Sequence, residues 1–390
     1  MSGPLALAMG GGGARAAYQV GLLSSLARRY PELAFSIHTG VSAGAINSAF
    51  LANGSGCFSE TVKQLDDVWR NINTDTVFNS NAGSLFFNVL RWGTRLISGG
   101  SKLAPPTRGM VDTAPLRELL LGSFDSPDGR LPGIARNLAS GRLLALGLPA
   151  TDYATGRTIV YVQGRELEPW NRPNRISVAT EITIDHVMAS AALPLFFPAV
   201  RIGERWLGDG GIRLISPLAP ALHLGAERII AISTRYAKTR EEESMPDVPG
   251  YPPPAQVISV LMNAIFLDAM DQDAFNMARI NDLLRRLTEE QRGGLRVVEL
   301  LILRPSQDIG KLATEYEPRL PEPFRFMTRG LGTRETKSPD SLSLVMFEPE
   351  YIQHLLELGR RDGDAHAGDL DAFLAGERLP AVQQTGFWRI

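Results

Sequence analysis

Apolar positions in the first fifty residues fall into two kinds of run. Leu5 to Met9 is unbroken and of strand length, and four glycines, Gly10 to Gly13, stop it. From Ala14 to Arg29 the spacing changes, with Ala16, Val20, Leu23 and Ala27 recurring at helical intervals. Ala34 to His38 predicts a second strand broken at Thr39-Gly40, and Ala43 to Ala52 a second helix that stops at Asn53-Gly54. Strand, glycine turn and helix, twice over, is the grammar of a parallel sheet covered by helices.

Further along, Val62 to Trp69 predicts a helix, while Phe58 to Arg130 is otherwise less regular. There Phe86, Phe87, Leu90, Trp92, Leu96 and Ile97, interspersed with Arg91 and Arg95, suit a lid or an interfacial patch as well as plain core. Leu143 to Leu148 reads as a buried strand, and Thr155-Gly156 as a turn into Thr158 to Val162. Asp185 to Ala192 predicts a short helix ended by Pro194. Val200-Arg201-Ile202 and Arg205-Trp206-Leu207 flank Gly203-Glu204 as a hairpin, and Arg228 to Ser233 is one more core strand. Lys238 to Pro254 is charged and Pro-rich and predicts an exposed excursion. Val257 to Leu287 predicts one long helical region and Val297 to Leu303 a late strand. Glu348 to Arg361 predicts an amphipathic helix with Ile352, Leu355, Leu356 and Leu358 on one side. Neither Gly54 to Phe58 nor Lys238 to Pro254 separates two cores, so the expectation is one α/β domain over 1–390.

At 390 residues the chain buries roughly three-quarters of its surface on folding and needs no disulfide or metal to hold a core. Lys plus Arg is 40 and Asp plus Glu is 42, a net charge of −2, which argues against a nucleic-acid partner. The one cysteine, Cys57, excludes an intramolecular disulfide and a multi-thiolate metal site, and it reads as a small, half-buried apolar residue. No apolar run reaches eighteen residues, and Met1 to Pro4 lacks the basic start of a signal peptide. A cytoplasmic location follows as an expectation, with peripheral membrane contact beside it.

Gly40-Val41-Ser42-Ala43-Gly44 matches G-x-S-x-G between a predicted strand and a predicted helix. That context provides a sharp turn which pushes a serine hydroxyl out at the carboxyl edge of a sheet. Glycines two residues either side of Ser42 let backbone pass where a Cβ would collide.

The loop Gly10 to Gly13 before a helix offers backbone N–H groups and a positive dipole end to an anion. A P-loop fails because no Gly-Lys-Ser/Thr follows. The dinucleotide form G-x-G-x-x-A fits as Gly11, Gly13 and Ala16. That fold wants an acidic residue at the end of the next strand, and here the chain reads His38-Thr39-Gly40-Val41-Ser42. An oxyanion hole beside Ser42 is the better reading, with a glycine turn that only eases helix–sheet packing as the bland one.

A serine hydroxyl needs a base. Of the five histidines, His38 lies on the predicted strand before the elbow and packs rather than reaching over it, and none of His186, His223, His354 and His366 sits in an evident glycine-rich site loop. The order Ser, Asp, His would still permit His354 or His366. The other route is direct proton transfer to a carboxylate, for which Asp209-Gly210-Gly211, after the Val200 to Leu207 hairpin, is the candidate turn.

Taken together and in order, Gly10-Gly11-Gly12-Gly13-Ala14-Arg15, Gly40-Val41-Ser42-Ala43-Gly44 and Asp209-Gly210-Gly211 resemble the patatin-like phospholipase family. Asp112-Thr113-Ala114-Pro115-Leu116 and Ala189-Ser190-Ala191-Ala192-Leu193-Pro194 through Phe197-Pro198 are similar to segments of its bacterial members. The resemblance covers roughly Leu5 to Thr234. It implies a three-layer α/β/α fold with a mainly parallel central sheet, and a Ser–Asp dyad that hydrolyses lipid acyl esters. By position Ser42 is the nucleophile and Asp209 the base. Gly11, Gly12 and Gly13 form the oxyanion hole, Arg15 supports that loop, and Gly40, Gly44, Gly210 and Gly211 shape the two turns. No cofactor or metal is implied. The expected partner is a lipid or ester substrate, with a variable insertion or lid at 70–130 and a C-terminal helical and strand extension at 255–390. Two positions depart from the family pattern: Ala16 replaces the glycine that usually follows the Arg, and Ser216 the Asn before Pro217. A dinucleotide-binding oxidoreductase and a catalytically silent lipid-binding protein of the same fold are the alternatives.

Overall fold

Leu5, Leu7 and Met9 pack into one hydrophobic cluster and Ala6 and Ala8 into another, all of them buried. A strand buried on both faces belongs in the middle of a helix-covered sheet. The structure, a computed structural model, describes residues 3–79, 109–246, 248, 250–330, 332–336, 340–377, 383–384 and 387–389. The bulky stretch from Phe86 to Ile97, with Arg91 and Arg95, lies outside the described residues.

The described strands are β1 (Leu5–Met9), β2 (Ile37–Gly40), β3 (Ala145–Asp152), β4 (Arg157–Gly164), β5 (Asn171–Arg172), β6 (Arg175–Ala179), β7 (Val200–Ile202), β8 (Arg205–Asp209), β9 (Arg228–Ile232), β10 (Glu299–Leu303), β11 (Gln383–Gln384) and β12 (Phe387–Arg389). They form one sheet in the order β11-β12-β10-β9-β1-β2-β3-β4-β6-β5, with β8 and then β7 joined to β3. From β10 to β3 every pairing is parallel. β4 and β8 both run antiparallel to β3.

The helices used below are α1 (Ala16–Arg29), α2 (Ala43–Asn53), α3 (Phe58–Arg70), α4 (Ala114–Ser123), α5 (Ile184–Ser190), α6 (Pro254–Phe266), α7 (Ala269–Arg285), α8 (Asp340–Leu344) and α9 (Pro349–Ala365). One face of the sheet packs on α1, α2 and α9, and the other on Met270, Ala274 and Met277 of α7. This is a three-layer α/β/α fold. α1 and α9 meet backbone to backbone: a Cβ on Gly21 would lie 2.0 Å from the Leu356 carbonyl, and one on Gly359 2.2 Å from that of Tyr18.

Several boundaries differ from the sequence pattern. β2 begins only at Ile37, where pairing with Ala6 starts, and runs to Gly40 rather than ending at His38. β3 continues to Asp152 because both β4 and β8 bond to its far half. The region Val257 to Leu287 is two helices, not one. The first ends at Phe266, where Asn263 O accepts the amides of both Leu267 and Asp268, and Asp268 pairs with Arg235 at 2.9 Å. The excursion after Lys238 holds a short exposed helix, Arg240–Ser244.

Register positions the chemistry. Thr39 of β2 stands opposite Gly147 of β3, so Ser42, three residues on, comes to about the level of Ala150. Ala150 is opposite Asp209 in β8. Serine and aspartate, remote in sequence, arrive at the same carboxyl edge of the sheet.

Candidate active site

Ser42 closes the turn from β2 into α2 with φ 57° and ψ −129°, a left-handed backbone that a non-glycine residue adopts only under constraint. The constraint is steric crowding around the elbow. A Cβ on Gly40 would sit 2.1 Å from the Gly44 carbonyl, and one on Gly44 2.5 Å from the carbonyls of Gly10 and Met9. The Ser42 amide donates to Ser190 Oγ at 3.3 Å.

Asp209 ends β8 wholly buried. Its amide donates to Ala192 O at 3.0 Å, its carbonyl accepts Thr151 Oγ1 at 2.8 Å, and its Oδ1 accepts the Gly211 amide at 2.8 Å. Oδ2 is buried with no donor in bonding geometry. Burial pushes the carboxyl up to about 7, opposed by the nearby Ser42 hydroxyl and the Gly211 amide, which favour the charged form. The Ser42 hydroxyl therefore lies beside the carboxylate without completing a bond to Oδ2. Gly210 lies against β3, where a Cβ would meet Pro149 O at 2.1 Å, and Gly211 against the Phe266 ring.

The glycine loop passes over the same point. A Cβ on Gly11 would be 3.2 Å from that of Ser42, and Gly12 and Gly13 have φ of 154° and 54°. Among the described residues the Gly11 and Gly12 amides donate no hydrogen bond, whereas Gly10 N bonds to Ile232 O at 3.1 Å. Thr234 Oγ1 donates to Gly11 O at 2.6 Å. A buried polar chain holds the loop from below: Gln19 Nε2 to Gly10 O at 2.7 Å, Asn47 Nδ2 to Gln19 Oε1 at 3.0 Å, and Trp69 Nε1 to Asn47 Oδ1 at 2.8 Å. Gln19 and Asn47 are polar positions in buried helices, and that was their only signal in sequence. Arg15 is buried behind the loop, donating to Ser343 Oγ at 2.5 Å and pairing with Asp340. The loop's dinucleotide reading meets an obstacle, because a Cβ on Gly13 would fall 2.0 Å from the Leu344 carbonyl: that side is already covered by protein.

The histidines are engaged elsewhere. His38 is buried edge-on to Phe35, and burial lowers it to about 4. His186 contacts Thr183 Oγ1, and His223 stacks on Trp170. His354 pairs with Tyr316 at 3.1 Å, and His366 lies 3.4 Å from Asp369.

A narrow apolar cavity of about 50 Å³ opens at Ser42. Ile46, Leu116, Leu119, Leu120, Leu193 and Phe197 line much of it, so the space beside the hydroxyl is hydrocarbon-like.

The family model for patatin-like phospholipase matches residues 7–222, more than half of the chain and all the motifs above. The chain belongs to that family. Membership in the patatin-like phospholipases supports lipid-ester hydrolysis. Among solved structures the chain is similar to VipD from Legionella pneumophila, at 12% identity over 97% of this chain and 78% of that one, TM-score 0.36. It is also similar to human GIVD cytosolic phospholipase A2 in complex with methyl gamma-linolenyl fluorophosphonate, at 13% identity over 96% of this chain, TM-score 0.45. The chain spans 58% of the length of that human protein. No curated protein matches. Among the described residues no helix is long and apolar enough to cross a membrane, and no group of three or more His, Cys, Asp or Glu could hold a metal ion.

Proposed function

We propose that the protein is a serine acyl hydrolase in which Ser42 attacks the carbonyl carbon of a lipid ester and Asp209 accepts its proton. The observation that carries this is the buried Asp209 carboxylate, with Oδ2 unpartnered beside a serine held at positive φ. A base that titrates near 7 is well matched to neutral pH. As the tetrahedral intermediate forms, the amides of Gly11, Gly12 and Gly13 receive its oxyanion. Losing one such donor raises the barrier by about 2.7–4 kcal/mol. The proton on Asp209 then passes to the leaving alcohol. Water attacks the acyl-serine with Asp209 again as base, and the acid leaves.

The acyl chain takes the apolar cavity at Ser42. Arg15 is a positioning residue, holding the loop through Asp340 and Ser343 without touching substrate. We read 1–390 as one hydrolase domain, with 70–130 as a variable insertion and 255–390 as the extension that buttresses α1 and the glycine loop. Ser42→Ala tests the reading: ester turnover falls to background while the fold persists, and retained turnover rejects Ser42 as nucleophile.

A further inference from the structure

We propose that α6 is the face through which the protein docks on a lipid surface, an inference that rests on the reading of Ser42 as a lipid-ester nucleophile. Sixteen consecutive residues, Pro252 to Leu267, carry no charge. Within α6, Val257, Val260 and Leu261 are 47%, 58% and 54% exposed, and their i, i+3, i+4 spacing puts them on one outward stripe. Tyr251, just before the helix, is 96% exposed, an aromatic of the kind that settles among lipid headgroups. Contiguous exposed hydrocarbon of this kind marks an interaction surface.

The other side of the helix is fastened. Buried Ser259 Oγ accepts the Ser341 amide at 3.1 Å, and Asn263 Nδ2 donates to Asp340 Oδ2 at 2.6 Å. These bonds keep the apolar stripe turned outward. At its C-terminal end, the Phe266 ring lies 2.5 Å from where a Cβ on Gly211 would stand and 3.8 Å from that of Gly11. The helix thus runs directly into the rim of the Ser42–Asp209 site.

That continuity identifies the occupant. The stripe has no charge with which to complement an ionic protein surface, while the aggregate that holds a lipid ester must come to this same rim. The helix has 13 residues, about 20 Å at 1.5 Å each, too short to span a bilayer and suited to lying in its interface. Asp340 gives one oxygen to Asn263 of α6 and the other to Arg15 behind the glycine loop. Docking of α6 is thereby connected to the loop beside Ser42 through one carboxylate.

The test is sedimentation with phosphatidylcholine vesicles, with and without phosphatidylglycerol, in a Ser42→Ala background so that no lipid is consumed. The Ser42→Ala protein binds neutral vesicles and stays bound at high salt. Adding Val257→Gln, Val260→Gln and Leu261→Gln together lowers the partition coefficient at least about tenfold, since three half-exposed aliphatic side chains are lost from the contact. Val257→Trp raises it. With Ser42 intact, the triple variant turns over a monodisperse short-chain ester as the parent does and loses turnover of vesicle phospholipid. Unchanged sedimentation of the folded triple variant overturns the proposal. So does binding that requires phosphatidylglycerol and vanishes with salt, or a dimer of the parent that the triple variant dissolves. Residual ester turnover by Ser42→Ala would instead sink the nucleophile and leave the vesicle comparison readable.

Discussion

Arg15 reaches across the molecule to Asp340: two side chains 325 residues apart form an ion pair directly behind the glycine loop. Arg15 is 2% exposed, so its charge depends on that partner and on Ser343. Breaking a buried pair by removing one side leaves an uncompensated charge and costs about 3–5 kcal/mol. Asp340→Ala should lower the urea midpoint accordingly at an unchanged denaturant slope, and reduce ester turnover because the loop loses its backing. A shift of less than about 0.5 kcal/mol would show that the loop stands without this pair.

The raised pKa of Asp209 gives a pH signature of known sign. Its folded value of about 7 lies above the ordinary 3.8, so between the two the native state holds a proton the unfolded chain has released. Stability from that proton is fully present below the unfolded pKa and is lost as pH rises through the folded one. The shift corresponds to about 4 kcal/mol at alkaline pH. Asp209→Asn should therefore be more stable than the parent above neutrality and nearly equal to it in acid, as read by thermal unfolding across pH. Turnover by the parent should climb with pH along a limb centred near 7, the value at which the stability difference, growing from about pH 4 upward, levels off.

How much of this was legible in sequence follows from range. The unbroken apolar run Leu5 to Met9, the two glycine turns and the order of the three motifs are local patterns, and they disclosed the helix-covered sheet and singled out Ser42 and Asp209 as candidates. The Arg15–Asp340 pair and the Thr234 bond to Gly11 O join distant segments and have no periodic signature. The split at Leu267 is also tertiary: apolar spacing continues through it, and the anchor of Asp268 on Arg235 does not appear in a helical pattern. Ser190, whose hydroxyl accepts the Ser42 amide, was visible only as part of a family-like segment.

The elbow admits no side chain at its flanking glycines. A methyl at Gly44 would enter the carbonyls of Gly10 and Met9, so Gly44→Ala must push the strand-to-helix turn open. Overpacking of this kind costs about 1–3 kcal/mol or more. The variant should unfold earlier in a thermal melt and lose nearly all turnover, and parental activity would show that the turn can relax at no cost.

Cavity shape should read out as chain-length preference. Ile46, half-buried on α2, lines the space beside Ser42. Ile46→Trp fills it, so kcat/KM for long-chain esters should fall at least tenfold while an acetyl ester is turned over almost as before (about 1–3 kcal/mol of discrimination). Equal losses on both substrates would place the acyl chain elsewhere.

In the proposed mechanism a buried carboxylate activates Ser42. The most direct measurement is intact-mass and peptide mapping of the protein after fluorophosphonate treatment, timed for the parent, Ser42→Ala and Asp209→Asn. One adduct on Ser42 of the parent, none on Ser42→Ala, and labelling of Asp209→Asn slowed about a hundredfold or more is the predicted result. An adduct on another residue, or Asp209→Asn labelled as fast as the parent, would contradict it.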